Sequence, residues 1–179
     1  MRAVLKKPAL LSILCATVET FKKESFGILV GNKNNKQINI EQAVPLQSAK
    51  RLFTEIEAND KRHKTVLRTV NLMWNQLKPI GDFHSHTERE AKNYKSSRYP
   101  VNPSEHDTGT SKKDEIYLIV GISFKKKSQK WQRDRKYSII GTLGNYRFEI
   151  RAYFAPENKK LEQIPLICPS AYQLNAFKK

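Results

Sequence analysis

Only two cysteines, Cys15 and Cys168, occur in 179 residues. Two thiols cannot build a four-cysteine zinc site or a disulfide framework, so both are expected to be free, in a reducing, cytoplasmic setting. No apolar run approaches the roughly 20 residues that would span a bilayer. The stretch from Ala9 to Val18, behind Arg2, Lys6 and Lys7, resembles a short signal sequence. However, bulky Leu14 precedes Cys15 and no small-residue cleavage site follows, so neither a leader nor a membrane role is expected. Acidic residues are also scarce, 17 Asp and Glu against 33 Lys and Arg, a formal net charge of +16. That imbalance favours an acidic partner, whether protein, nucleic acid or anionic surface, and is silent about any reaction.

What is present describes a folded chain. Hydrophobic residues make up 39% and charged residues 28%, which argues against disorder, and the length suits one domain spanning residues 1–179. Pro8 suits a first helical turn, and Leu11, Leu14, Val18 and Phe21 follow at intervals of three and four, predicting an amphipathic helix to about Lys23 with Cys15 in the core. Phe26 to Val30 and Gln37 to Val44 read as a hairpin around Gly31-Asn32 and Asn34-Asn35. Leu52 to Ile56 reads as a further strand. Asn59 or Asp60 can cap a helix with the stripe Val66, Val70, Met73 and Leu77, ended by Pro79.

Ile80 to His86 reads as a strand with Phe83 on one face and Ile80, Asp82, His84 and His86 on the other. Residues 87–103 read as a polar loop, and Pro103-Ser104 as a helix start. Ile116 to Phe124 is the most apolar run, expected at the sheet centre with Tyr137 to Leu143 as its partner. Asn145 to Phe154 alternates Tyr146, Phe148, Ile150, Ala152 and Phe154 with Arg147, Glu149 and Arg151. Leu161 to Cys168 adds an edge strand limited by Pro165 and Pro169. The sum is an α/β fold, a mixed sheet flanked by helices.

Three short motifs carry chemistry. In His84-Ser85-His86, residues two apart on a strand face the same way, so both imidazoles can converge on one ion. Alone, the pattern fits a plain histidine pair equally well. In Pro103-Ser104-Glu105-His106-Asp107, Asp107 would project from a first helical turn and could complete a three-ligand zinc set with one open position. On its own, Ser-x-x-Asp is more often an ordinary helix cap than a ligand set. In Glu24-Ser25-Phe26-Gly27-Ile28-Leu29-Val30-Gly31, a glutamate running into a buried strand can serve as a general base near a metal, or simply face solvent. Other zinc classes lack support: there is no HExxH, no H-x-E with P-C-x-x-C, and the chain is short of the ~250 residues of a barrel amidohydrolase.

Taken together, ESFGILVG, HSH and PSEHD, in that order, resemble the JAMM (MPN+, JAB/MPN) zinc metalloprotease family, as do GDFHSH and EIYLIVGIS. The resemblance covers about Ala9 to Phe154. It implies a JAB/MPN fold of the cytidine-deaminase-like α/β/α type, with Zn2+ held by His84, His86 and Asp107. It also implies Glu24 as the group that takes a proton from water and returns it to the leaving amine, and Ser104 as a donor to the oxyanion. The implied reaction is hydrolysis of amide or isopeptide bonds at the C-terminus of a ubiquitin-like or sulfur-carrier protein. One departure is the 87–103 spacer, longer than the family's usual one, with Arg89, Lys92, Lys95 and Arg98 interleaved with Tyr94 and Tyr99. It reads either as a substrate-gripping loop or as a solvated excursion.

A second, basic run from Phe124 to Lys136 contains Trp131, which could stack on a base and would suit a nucleic-acid-associated protein; a charged hairpin connection is the plainer reading. The HNHPSG form of a DNA-repair-linked branch of the superfamily is absent, HSHTER standing there instead. His63 and His106 are expected to face solvent.

Overall fold

Pro8 stands in the first turn of α1 (Lys7–Glu19), where its missing N–H costs nothing. The computed structural model describes residues 1–21, 23–46, 50–51, 56–57, 60–87, 101–135, 137–156 and 160–177. Ahead of α1 lies β1 (Arg2–Leu5), and after it come β2 (Phe26–Lys33) and β3 (Gln37–Pro45). The two-residue strands β4 (Lys50–Arg51) and β5 (Ile56–Glu57) pair with each other apart from the main sheet. Then follow α2 (Asp60–Met73), β6 (Lys78–Thr87), the short α3 (Glu105–Thr110) and β7 (Ile116–Phe124). The chain closes with β8 (Gln132–Arg133), β9 (Ile139–Leu143), β10 (Tyr146–Phe154), β11 (Glu162–Ile164), β12 (Leu166–Ile167), α4 (Pro169–Gln173) and a 3-10 turn at Leu174–Phe177.

Among the described residues, ten strands form one mixed sheet in the order β12-β1-β3-β2-β6-β7-β10-β9-β8, with β11 beside β10. β1 runs parallel to β3 and β12, and β6 runs parallel to β7; the other neighbours are antiparallel. Side chains alternate across this sheet, so each strand feeds two layers. On one face Leu29, Phe83, Leu118, Val120, Phe148 and Ile150 pack under α1 and Ala171 of α4. On the other, Ile28 and Val30 meet Val66, Leu67 and Val70 of α2 with Trp74 and Leu77 beyond it. The result is the expected α/β architecture, a mixed sheet between helical layers.

Several elements differ from expectation for identifiable reasons. β1 was not read from the sequence, yet Ala3 and Leu5 are fully buried in it. The buried stripe of α1 is Ala9, Leu10, Ile13, Leu14, Ala16 and Thr17, one position round from the predicted one, because small residues let the helix sit close to the sheet. Leu11 and Cys15 are therefore exposed, which corrects the core placement of Cys15. Phe21 lies past the helix end and packs on Phe124 and Tyr146. α2 stops at Met73, which is 71% exposed, and Pro79 lies inside β6 instead of ending the helix. The β2–β3 turn falls at Asn34, whose Oδ1 accepts from the N–H groups of Lys36 and Gln37, while Gly31 and Asn32 remain in the strand.

β9 pairs with β10 and not with β7, because Gly144 at φ 56° and Asn145 join Leu143 to Tyr146 by a two-residue turn. That closure is far shorter than the basic connection after β7. The predicted edge strand splits at Pro165 into β11 on β10 and β12 on β1. Most of the Leu52–Ile56 strand, Asn59, Lys136 and residues 88–100 of the long loop, with Arg89, Lys92, Tyr94, Lys95, Arg98 and Tyr99, lie outside the described residues.

One glycine sets the position of β6. Gly81 has φ +153°, and a Cβ there would sit 1.8 Å from the Ile116 carbonyl oxygen on β7. Gly81→Ala is expected to force β6 away from β7 at a cost of roughly 3 kcal/mol, strain and overpacking together. For a domain of this size that lowers Tm by roughly 10 °C, readable by thermal denaturation. An unchanged Tm would contradict the close approach.

Candidate metal centre

β6 is gripped on both sides, and that grip decides which way its side chains point. Against β2, Phe26 pairs with His84; against β7, His84 aligns with Ile119 and His86 with Gly121. Phe83 drops into the α1-side core with no exposed surface, so His84 and His86 face the opposite side, buried to 7% and 8% exposure. Their Nε2 atoms stand 3.0 Å apart.

Asp107 reaches the same point from α3. Ser104 caps this helix: its Oγ accepts from the Asp107 N–H at 3.1 Å, and its own N–H donates to Asp107 Oδ2 at 2.7 Å. The cap reading and the ligand reading therefore describe one arrangement, since the cap aims the carboxylate. Oδ1 lies 3.3 Å from His84 Nε2, and Oδ2 lies 4.0 Å from His86 Nε2. Burial alone would raise the Asp107 carboxyl, but the hydrogen bond and charge of His84, helped by Ser104, hold it well below the ordinary carboxylate range. It is thus an anion, as a ligand must be.

Three donor atoms, two imidazole nitrogens and a carboxylate oxygen, lie within 4.8 Å of one another, and the group could hold a metal ion. The fit is good in chemistry and spacing. Two donors on one tetrahedral ion, each ~2.0–2.1 Å from it, stand roughly 3.3 Å apart; the His84–His86 and His84–Asp107 separations of 3.0 and 3.3 Å lie close to that, and the His86–Asp107 separation of 4.0 Å is wider.

Glu24 lies two residues ahead of β2. The Ser25 N–H donates to Ser85 Oγ at 2.8 Å and the Ser85 N–H donates to the Ser25 carbonyl at 3.0 Å, so the two segments stay bonded one residue past the end of the β2–β6 ladder. Glu24 precedes Ser25 by one residue, at the end of β2 where Phe26 pairs with His84. Glu24 is only 7% exposed, so the solvent-facing alternative does not hold.

Next to this candidate group, a cleft of about 610 Å³ opens between α2 and β6, lined among others by His63, Leu67, Trp74, Asp82, Lys112 and Glu115. Strand alternation had set Asp82 on the His84 face, but nothing in the sequence showed that α2 would roof it. Burial pushes its carboxyl up to about 7, against the pull of His84 and Lys112 and with a further push from Glu115 and Asp107. His63 is half-buried, edge-on to Phe26, and faces this cleft rather than solvent. His106 is exposed, as expected. Trp131 is 2% exposed and stacks on Phe148, so it is a core residue with no face to offer a base. The basic side chains around it, Lys125, Lys126, Lys127, Lys130, Arg133 and Arg135, are all exposed.

Residues 6–134 match the family described as prokaryotic homologs of the JAB domain. The chain belongs to that family. Among solved structures it is similar to protein DSY2949 from Desulfitobacterium hafniense, known from a solution structure, with a TM-score of 0.63 over 93% of this chain and 92% of that one. At 15% identity, that likeness concerns the fold alone. No curated protein matches the chain.

Asp82 gives a pH signature. Its folded pKa near 7 lies above the ordinary 3.8, so the native state holds the proton more tightly. The stability this confers is complete below pH ~4 and is lost as pH rises toward 7 and past it. In chelator-treated protein, Asp82→Asn should therefore gain Tm relative to the parent between pH 5 and pH 8. A constant Tm difference across that range would contradict the assignment.

Proposed function

We propose that this chain is a zinc-dependent peptidase or isopeptidase that hydrolyses amide bonds at the C-terminus of a ubiquitin-like or sulfur-carrier protein. The observation that carries this reading is the convergence of His84, His86 and Asp107, with a buried Glu24 two residues ahead of the strand that pairs with His84. His84, His86 and Asp107 would hold the zinc, leaving a fourth position open. Zinc supplies Lewis acidity and makes water acidic enough to be deprotonated near neutral pH.

The remaining work falls to the chain's own side chains. The Glu24 carboxylate takes a proton from the attacking water and delivers it to the departing amine. The Ser104 hydroxyl accepts from the Asp107 N–H, which leaves its own proton to donate to the oxyanion as the carbonyl becomes tetrahedral. Burial of the histidine pair keeps bulk water from competing for these groups. The net charge of +16 suits an acidic small-protein substrate. The nucleic-acid reading loses its stacking residue with Trp131 in the core, and only the charge speaks for it.

The test uses zinc-loaded protein incubated with ubiquitin-like and sulfur-carrier proteins carrying C-terminal extensions, with products weighed by mass spectrometry. Cleavage directly after the carrier's tail is expected. Glu24→Gln should lose at least ~100-fold in turnover while keeping its zinc. His84→Ala should lose both zinc and activity. No cutting by the loaded parent across bacterial, archaeal and eukaryotic tails would sink the proposal.

A further inference from the structure

Helix α3 carries Asp107 yet buries none of its own residues. A six-residue helix without an apolar anchor cannot by itself hold a ligand to the few tenths of an ångström that metal binding requires. The anchor lies just upstream. Val101 is fully buried among Tyr117, Ile119, Tyr153 and Ala155. The Tyr153 hydroxyl donates to the Val101 carbonyl at 2.6 Å, and Arg151 Nη1 donates to Asn102 Oδ1 at 2.7 Å.

Arg151 is itself held rigidly. Its Nε and Nη2 both donate to Glu149 Oε1, at 3.1 and 2.7 Å, while Glu149 Oε2 lies 3.6 Å from Arg147. Glu149 and Arg151 are each only 9% exposed. Burying such a pair is costly, and it contributes little stability over apolar residues of similar size, so its place calls for another reason. The sheet register supplies one. Ile119 lies between His84 and Arg151 across the strands, and Tyr117 lies between Asp82 and Tyr153, so the clamp and the histidines share one face. Pro103 alone separates the clamped Asn102 from the cap residue Ser104, and its fixed φ stiffens that step.

We infer that Arg151 and Tyr153 are positioning residues for the metal centre. They clamp Val101 and Asn102 to β10, and through Pro103 they fix the capped start of α3 so that Asp107 meets the histidine pair. The inference rests on the metal-binding reading and extends it to residues that touch neither metal nor substrate.

The test needs no substrate. Zinc affinity is measured by competition with a chromophoric chelator, and the visible absorption of Co2+-loaded protein reports the ligand geometry. Tyr153→Phe, which removes one oxygen, and Asn102→Ala, which removes the acceptor and leaves the buried ion pair alone, should each weaken zinc binding about 10-fold or more and alter the cobalt spectrum. Asn102→Asp, which keeps an acceptor for Arg151, should restore both, and Tyr146→Phe, on the opposite face, should change neither. A merely structural role would lower Tm in excess chelator while leaving affinity and spectrum as in the parent, and that result overturns the inference with the metal site intact. A parent protein that binds neither ion overturns both.

Discussion

The whole site depends on β6 being locked between two neighbours. A strand turns successive side chains to opposite faces, so a slip of one residue would send His84 and His86 into the α1-side core and Phe83 out. The reciprocal bonds between Ser25 and Ser85, in the middle of the histidine pair, fix the register on one side. Parallel pairing with β7, made possible by the close approach of Gly81 to Ile116, fixes it on the other. With β6 fixed, the imidazoles converge without any further device, and Glu24 stands one serine ahead of β2, whose first residue pairs with His84.

Asp107 is positioned by different means. Its short helix is held by hydrogen bonds at its start and not by packing along its length. The cap at Ser104 aims the carboxylate, and the buried ends of Tyr153 and Arg151 hold the segment leading to it. A centre assembled from one rigid strand and one tethered helix can be tuned at the tether without disturbing the sheet.

Much of this was legible in the sequence because it is local. The two-residue period of His84-Ser85-His86, the Ser104-to-Asp107 cap and the apolar run from Ile116 to Phe124 each declare their structure over a few residues. What escaped is non-local. β1 is too short to show a pattern, and its burial comes from β3 and β12. Arg147, Glu149 and Arg151 alternate regularly with apolar residues, and nothing in that alternation shows that Val101 and Asn102 return to bond Tyr153 and Arg151. Trp131 sat in so basic a run that its burial against Phe148 could not be read from its neighbours. Likewise His63 sits in a charged helical stretch, and only the packing of α2 on β6 sets it against Phe26 at the edge of the cleft.

The central claim is that two imidazoles and one carboxylate form a single metal site. X-ray absorption at the zinc edge, on protein loaded with one equivalent and dialysed, tests it most directly. The account predicts one tightly held zinc per chain, with nitrogen and oxygen ligands only and two imidazole scattering patterns. Failure to retain zinc, or a sulfur ligand from Cys15 or Cys168, would contradict it.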